Sequence, residues 1–78
     1  MKLPRGVSGD RLVRGLEKLG YKVMRQKGGH VRMRHEGPPV HSVAVPRHDS
    51  LKTGTLHAIV TEVAQMRSME IEAVIREI

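Results

Sequence analysis

Residues 10–19 carry the pattern of apolar and polar side chains that is typical of an amphipathic helix. Its apolar side chains recur at helical spacing and therefore share one face. These positions are Leu12, Val13, Leu16 and Leu19. Ser8 is a suitable N-cap because its hydroxyl can accept a hydrogen bond from the first turn. Gly20 follows the last apolar position, where a left-handed glycine commonly ends a helix.

Three shorter segments carry the period of two that is typical of β-strands. They span residues 21–27, 30–35 and 40–45. In the second segment, Val31 and Met33 share one side of the strand. The other side of that strand carries His30, Arg32 and Arg34. Met24 breaks the alternation of the first segment, which indicates a β-bulge.

Glycine and proline mark the turns between these strands. Gly28-Gly29 has the length and composition of a two-residue hairpin turn, and residues 36–39 contain a Gly-Pro-Pro turn. A second long helix is predicted beyond the third strand, with Thr53 as its N-cap. Its apolar positions are Leu56, Ile59, Val60 and Val63. Ser68 is the predicted cap of a short last helix.

The predicted order is helix, three antiparallel strands, helix and short helix, which is an α+β arrangement. The sheet has one apolar face, and two amphipathic helices are available to cover it. We therefore expect a double-stranded-RNA-binding-like fold, α-β-β-β-α with a short C-terminal helix and with the helices on one face of the sheet. Residues 1–78 are expected to form a single domain, because 78 residues supply one small core.

The distribution of charge points to a polyanionic ligand. The chain has 14 Lys and Arg against 8 Asp and Glu, for a net charge of +6. Residues 21–49 hold six of these cations and only two acids, whereas acids outnumber cations in residues 61–78. The six cations are Lys22, Arg25, Lys27, Arg32, Arg34 and Arg47. This asymmetry favours one nucleic-acid-binding face over an evenly solvated surface.

Composition also indicates the compartment. The absence of cysteine excludes disulfides and thiolate–metal sites. Residues 1–10 lack the apolar stretch of a signal peptide, and no window approaches the roughly 18 apolar residues that a membrane span needs. We therefore expect a cytoplasmic protein that has no association with a membrane.

His30 is the candidate catalytic residue. Two glycines precede it, so little side-chain bulk shields its ring. The cations Arg25, Lys27 and Arg32 are expected near it on the hairpin. An imidazole can transfer protons near neutral pH, and such cations can hold a phosphate and stabilise charge in a transition state. The alternative is an ordinary surface histidine at a turn.

The other histidines are weaker candidates. His35 and His41 flank the Pro-Pro turn and are expected to be solvated strand ends, and His48 could act as an acid or a phosphate ligand. No two histidines have the H-x3-H spacing, and the basic segment offers only Glu36 and Asp49 as carboxylates. We therefore expect neither a metal ion nor another cofactor.

RNA is the expected substrate because metal-free cleavage can use attack by the 2′-hydroxyl, which DNA lacks. Phosphate contacts from cations and a glycine turn are salt-dependent and carry little sequence information. The predicted RNA contacts are Arg25, Lys27, Gly28, Gly29, Arg32, Arg34, Arg47 and His48. The chain has one Tyr and neither Phe nor Trp, so a base-stacking platform is missing.

Several short motifs, taken in order, resemble the HicA toxins of prokaryotic toxin–antitoxin pairs over nearly the whole chain. They are Met1-Lys2-Leu3-Pro4 followed by Val7-Ser8-Gly9, residues 19–28, Gly28-Gly29-His30, residues 43–48 and residues 51–56. Two positions depart from the family pattern. Gly29 stands where the Gly-Ser-His signature has serine, and Thr53 stands where proline is common.

The resemblance implies a double-stranded-RNA-binding-like fold and metal-independent cleavage of mRNA that depends on the signature histidine, here His30. It also implies a HicB-type antitoxin as the protein partner, which covers the active face. Two alternatives stay open from the residues themselves. One is a non-catalytic RNA-binding module of the same fold, and the other is a protein-interaction domain whose basic face binds an acidic partner.

Overall fold

The computed structural model describes residues 3–78, so Met1 and Lys2 of the first motif lie outside the described residues. Its elements are α1 (Gly9–Lys18), β1 (Lys22–Lys27), β2 (His30–His35), β3 (His41–Pro46), α2 (Thr53–Met66) and α3 (Ile71–Ile75). The strands form an antiparallel sheet in the order β1-β2-β3. The predicted α+β class and element order are confirmed. Within residues 3–78, no helix is long and apolar enough to cross a membrane.

The two long helices share one core with the inward face of the sheet. Val31 and Met33 of β2 are buried in the same cluster as Leu12 of α1 and Val60 of α2. Burying such side chains is the main favourable term in folding. Because both helices lie on this side, the outward face of the sheet stays in water, as predicted.

Helix α1 is capped at both ends by the residues that the sequence indicated. The Arg11 backbone N–H donates to Ser8 Oγ at 3.0 Å. At the other end, Gly20 adopts φ +96°, and the Tyr21 N–H donates back to the Leu16 carbonyl at 3.0 Å. This is a Schellman motif, in which a left-handed residue satisfies the last carbonyls. The helix begins and ends one residue earlier than predicted.

Two predicted caps are wrong. The N-cap of α2 is Lys52, without a side-chain hydrogen bond, so Thr53 is already the first helical residue. Ser68 has φ +52° and lies just beyond α2 rather than at the start of α3, whose N-cap is Glu70. The Met69 N–H donates to the Ala64 carbonyl at 2.8 Å. Ser68 thus occupies the left-handed position that ends α2.

The expectation that His35 and His41 are solvated is also wrong. They are only 9% and 8% exposed, pair across β2 and β3, and stack with ring centroids 5.7 Å apart. The Tyr21 hydroxyl donates to His41 Nε2 at 2.6 Å, and His41 Nδ1–H donates to the Pro39 carbonyl at 2.6 Å. The alternation of β2 continues through its last residue, which turns His35 inward.

Protonation of His35 is opposed by its surroundings. The Gly37 N–H donates to His35 Nδ1 at 2.8 Å, so that nitrogen has no room for a proton. The pKa of His35 lies below its usual value, chiefly because burial removes water from the ring and further because Arg67 and His41 are close. The Leu19 backbone and Glu36 act in the opposite direction on this pKa without reversing it.

We predict that the free energy of unfolding falls as the pH drops below about 6.5, the ordinary pKa of histidine. Between that value and the lower folded pKa, the unfolded chain binds a proton at His35 that the folded chain does not bind, so acid favours unfolding. Urea unfolding at a series of pH values measures this slope.

The matched variants are His35→Gln and His57→Gln, the latter at an exposed position on α2. We expect His35→Gln to flatten the pH dependence and His57→Gln to leave it as in the wild type. An unchanged slope in His35→Gln would show that this buried ring does not control the acid sensitivity.

Candidate functional site

The candidate site is built on the hairpin between β1 and β2. Lys27 and His30 form its last cross-strand pair, and the two residues between them are Gly28 at φ +58° and Gly29 at φ +78°. Two successive left-handed residues are what a type I′ turn requires, and glycine adopts them at little cost. His30 therefore begins the central strand, directly beside the turn.

Four predicted site residues and one further residue surround a single concavity on the outward face. Arg25 pairs with Arg32, two positions along the hairpin from the Lys27–His30 pair and on the same face of the sheet. On the other flank of β2, Ala44 pairs with Arg32. We call the cavity of about 330 Å³ among these residues the open-face pocket. Its lining consists of Arg25, Lys27, His30, Arg32 and Ala44.

The cations of the open-face pocket have no carboxylate partners within residues 3–78, where the ion pairs are Arg34–Glu36 and Arg47–Asp10. Arg25 and Arg32 face each other directly, and like charges at opposed positions destabilise a sheet. An anionic ligand would relieve this repulsion. In the same residues, no three His, Asp or Glu side chains come together in a way that could hold a metal ion.

The His30 ring is exposed and has a defined hydrogen bond. Its Nδ1–H donates to the Gly28 carbonyl at 3.3 Å. Because a carbonyl can only accept, the proton of the neutral ring is assigned to Nδ1 and the lone pair to Nε2. The turn therefore leaves Nε2 as the available base.

The remaining predicted contacts lie outside the lining of the open-face pocket. Arg34, the next outward residue of β2, donates from Nε to Glu36 Oε1 at 3.0 Å. Arg47 Nε lies 3.2 Å from Asp10 Oδ1. His48 is exposed and contributes its backbone carbonyl to a hydrogen bond from the Gly9 N–H at 2.9 Å.

Ala44 is the lining residue that the sequence interpretation did not select. It is exposed on β3 and directly opposes Arg32, where a longer side chain would occupy the pocket. The signal in the sequence was its position between Val43 and Val45, which places it on the outward face of the strand. A small side chain at an outward position leaves room for a ligand. Apolar type alone gave no reason to choose it.

Comparison with known proteins identifies one related family. A protein-family model described as "HicA toxin of bacterial toxin-antitoxin" matches residues 9–67. The matched range extends from the start of α1 through α2 and contains every residue that lines the open-face pocket. No curated protein and no solved structure gives a significant match.

We predict that the pocket cations bind a polyanion in a salt-dependent way. With a short single-stranded RNA as the probe, Arg25→Ala and Arg32→Ala should each lower the slope of log affinity against log salt by about 0.7, the loss of one phosphate contact. Arg14→Ala, which removes the same charge from an exposed position on α1, is the control. Equal losses in the control would mean that net charge, rather than the pocket, drives binding.

Proposed function

The chain belongs to the HicA family of bacterial toxin–antitoxin toxins, and on this basis we propose that it is a metal-independent endoribonuclease that cleaves mRNA. The observation that carries the proposal is the open-face pocket. One histidine, His30, lies there beside three cations without acidic partners in the described chain. Family membership supports the role of a toxin, and the pocket supports the chemistry.

The cations supply binding and charge stabilisation. Arg25, Lys27 and Arg32 can contact the scissile phosphate and its neighbours, because all three line the pocket with His30. Guanidinium groups bind phosphate oxygens in bidentate geometry. As the phosphorus becomes pentacoordinate, negative charge grows on its oxygens, and fixed cations stabilise that state more than the ground state.

His30 supplies the proton transfer. Its Nε2 accepts the proton of a ribose 2′-hydroxyl while the 2′-oxygen forms a bond to the adjacent phosphorus. The bond from phosphorus to the 5′-oxygen breaks, and that oxygen leaves as a hydroxyl after taking up one proton from water, while His30 returns its proton to water. The products are a 2′,3′-cyclic phosphate and a 5′-hydroxyl end. The Gly28 carbonyl orients the ring by accepting from Nδ1–H.

A HicB-type antitoxin is the proposed protein partner. A partner that covers the outward face of the sheet would exclude RNA from the pocket and bury cations that have no partner of their own. Acidic groups on that partner would complement this surface. The proposed place of action is the cytoplasm, where mRNA is translated.

A second candidate function is a non-catalytic RNA-binding module. Gly29 favours it, because glycine lacks the hydroxyl that serine carries in the family signature. A Cβ at Gly29 would meet no atom within 4 Å, so no neighbouring side chain fills the space in its place. Binding of RNA without cleavage would identify this second function.

The cleavage test compares the wild type with His30→Ala in EDTA. We expect the wild type to cut RNA and to leave 2′,3′-cyclic phosphate ends, and His30→Ala to lose about 100-fold or more in rate, the usual contribution of a general base. His57→Ala, prepared identically, is the control for contaminating nucleases. Full activity in a folded His30→Ala protein would remove His30 from the mechanism.

The pocket itself is tested by Ala44→Leu. We expect the larger side chain to fill the space opposite Arg32 and to reduce cleavage about tenfold, while the melting temperature stays unchanged because the position is exposed. Ser42→Leu is the matched control, at the next outward position of β3, where its partner Arg34 lies outside the pocket lining. Equal losses in both variants would argue against the pocket as the site of cleavage.

A further inference from the structure

We propose that Arg47 is a positioning residue, which holds the glycine hairpin and His30 against the start of α1. This inference rests on the proposed ribonuclease function. It differs from the interpretation of Arg47 as a phosphate contact, which its charge alone suggested. Three features of the described chain carry it: the side of the sheet that Arg47 occupies, its side-chain contacts and its backbone hydrogen bond.

The side chain of Arg47 lies on the opposite side of the sheet from the open-face pocket. Pro46 pairs with the outward His30, so the alternation of the strand turns the next residue toward the helices. Gln26 shares that side, because it pairs with the buried Val31. Arg47 Nη1 donates to Gln26 Oε1 at 3.2 Å.

The guanidinium group joins β1 to the first turn of α1. Its Nε and Nη2 lie 3.2 and 3.4 Å from the two carboxylate oxygens of Asp10, while Nη1 contacts Gln26. The planar fork of arginine can satisfy both partners at once, which a lysine ammonium on a flexible chain does not reproduce. We call Arg47, Asp10 and Gln26 the Arg47 network.

The backbone of the same segment holds the turn directly. The Arg47 N–H donates to the Gly29 carbonyl at 2.8 Å, and the Gly9 N–H donates to the His48 carbonyl at 2.9 Å. A side chain at Gly9 would collide with the Pro46 carbonyl, so helix and segment are in close contact. Residues 46–48 are therefore fixed between α1 and the hairpin turn.

The hairpin needs such an anchor because its turn consists of two glycines, the residue type with the greatest backbone freedom. His30 directly follows that turn, and its ring donates a hydrogen bond to the Gly28 carbonyl within the turn. Asp10 and Arg47 are about half exposed, and exposed ion pairs contribute little to overall stability. Their removal should therefore change the geometry at His30 more than it changes the fold.

The two roles of Arg47 predict opposite effects of Asp10→Asn. If Arg47 bound phosphate, removing the neighbouring carboxylate would free the guanidinium and strengthen RNA binding. If Arg47 positions the hairpin, the same substitution breaks the Arg47 network and slows cleavage. The two roles can thus be separated without touching Arg47 itself.

The experiment measures kcat and KM for RNA cleavage, together with melting temperatures, in the wild type, Asp10→Asn, Arg47→Ala and the double variant. We expect kcat to fall about tenfold or more in each single variant, since small misplacements of catalytic groups are costly. KM and the salt dependence of binding should stay close to the wild type. The double variant should be no slower than Arg47→Ala, because both changes break one interaction. Glu17→Gln and Arg14→Ala, both exposed on α1, are the charge-matched controls.

A second arm does not require cleavage. In amide NMR spectra, Asp10→Asn should shift or broaden the signals of Gly29 and His30 and leave His41, at the far end of β3, unchanged. Raised KM with unchanged kcat and a reduced salt slope in Arg47→Ala would overturn the proposal, as would unchanged hairpin signals. If the wild type does not cleave RNA, the proposed function fails, and the NMR arm alone decides whether Arg47 positions the hairpin.

Discussion

The alternation of side chains along the central strand β2 is the constraint on which both the fold and the candidate site depend. Its inward residues, Val31 and Met33, are buried beneath the helices, while His30 and Arg32 face water. Because β2 has a neighbour on each side, its outward residues also meet those of both flanking strands. A slip of one residue would exchange the two faces and destroy core and pocket together.

The outward face of the sheet contains a local repulsion between like charges. Arg25 and Arg32 are directly opposed, and neither finds a carboxylate within the described residues. Every residue of β1 is exposed, so the antiparallel backbone pairing with β2, rather than burial, holds the two arginines opposite each other. In the proposed function, the phosphates of the bound RNA replace the missing counter-charges. The same cations line the pocket together with the imidazole of His30.

The sequence was sufficient for the features that depend on local pattern. Alternation identified the two faces of β2, and Gly20 adopts the predicted left-handed conformation just beyond α1, because that conformation strongly favours glycine. The sequence was insufficient where one residue suits two different local structures. Ser68 could begin one helix or end another, and the backbone bonds of α2 decided the outcome. The polar side chain of His35 suggested exposure to water, but its place in the alternation of β2 turns it inward and buries it.

The contacts at the site that the sequence did not predict join residues that are distant along the chain. Arg47 was grouped with the other cations by charge, yet its partner Asp10 lies 37 positions away. Ala44 acquires a role only because the sheet sets it opposite Arg32. Periodicity therefore identified His30 and the three cations of the pocket, whereas the position of Ala44 and the contacts of Arg47 required the tertiary structure.

The proposed reaction begins when a base in the open-face pocket activates the ribose 2′-hydroxyl. The most direct measurement uses an RNA cut at a mapped position and an otherwise identical RNA with a single 2′-deoxy nucleotide on the 5′ side of that bond. We expect cleavage to stop at that bond alone, with RNA binding unchanged and other sites still cut. Continued cleavage at the deoxy position would rule out the 2′-hydroxyl as the nucleophile and, with it, the proposed mechanism.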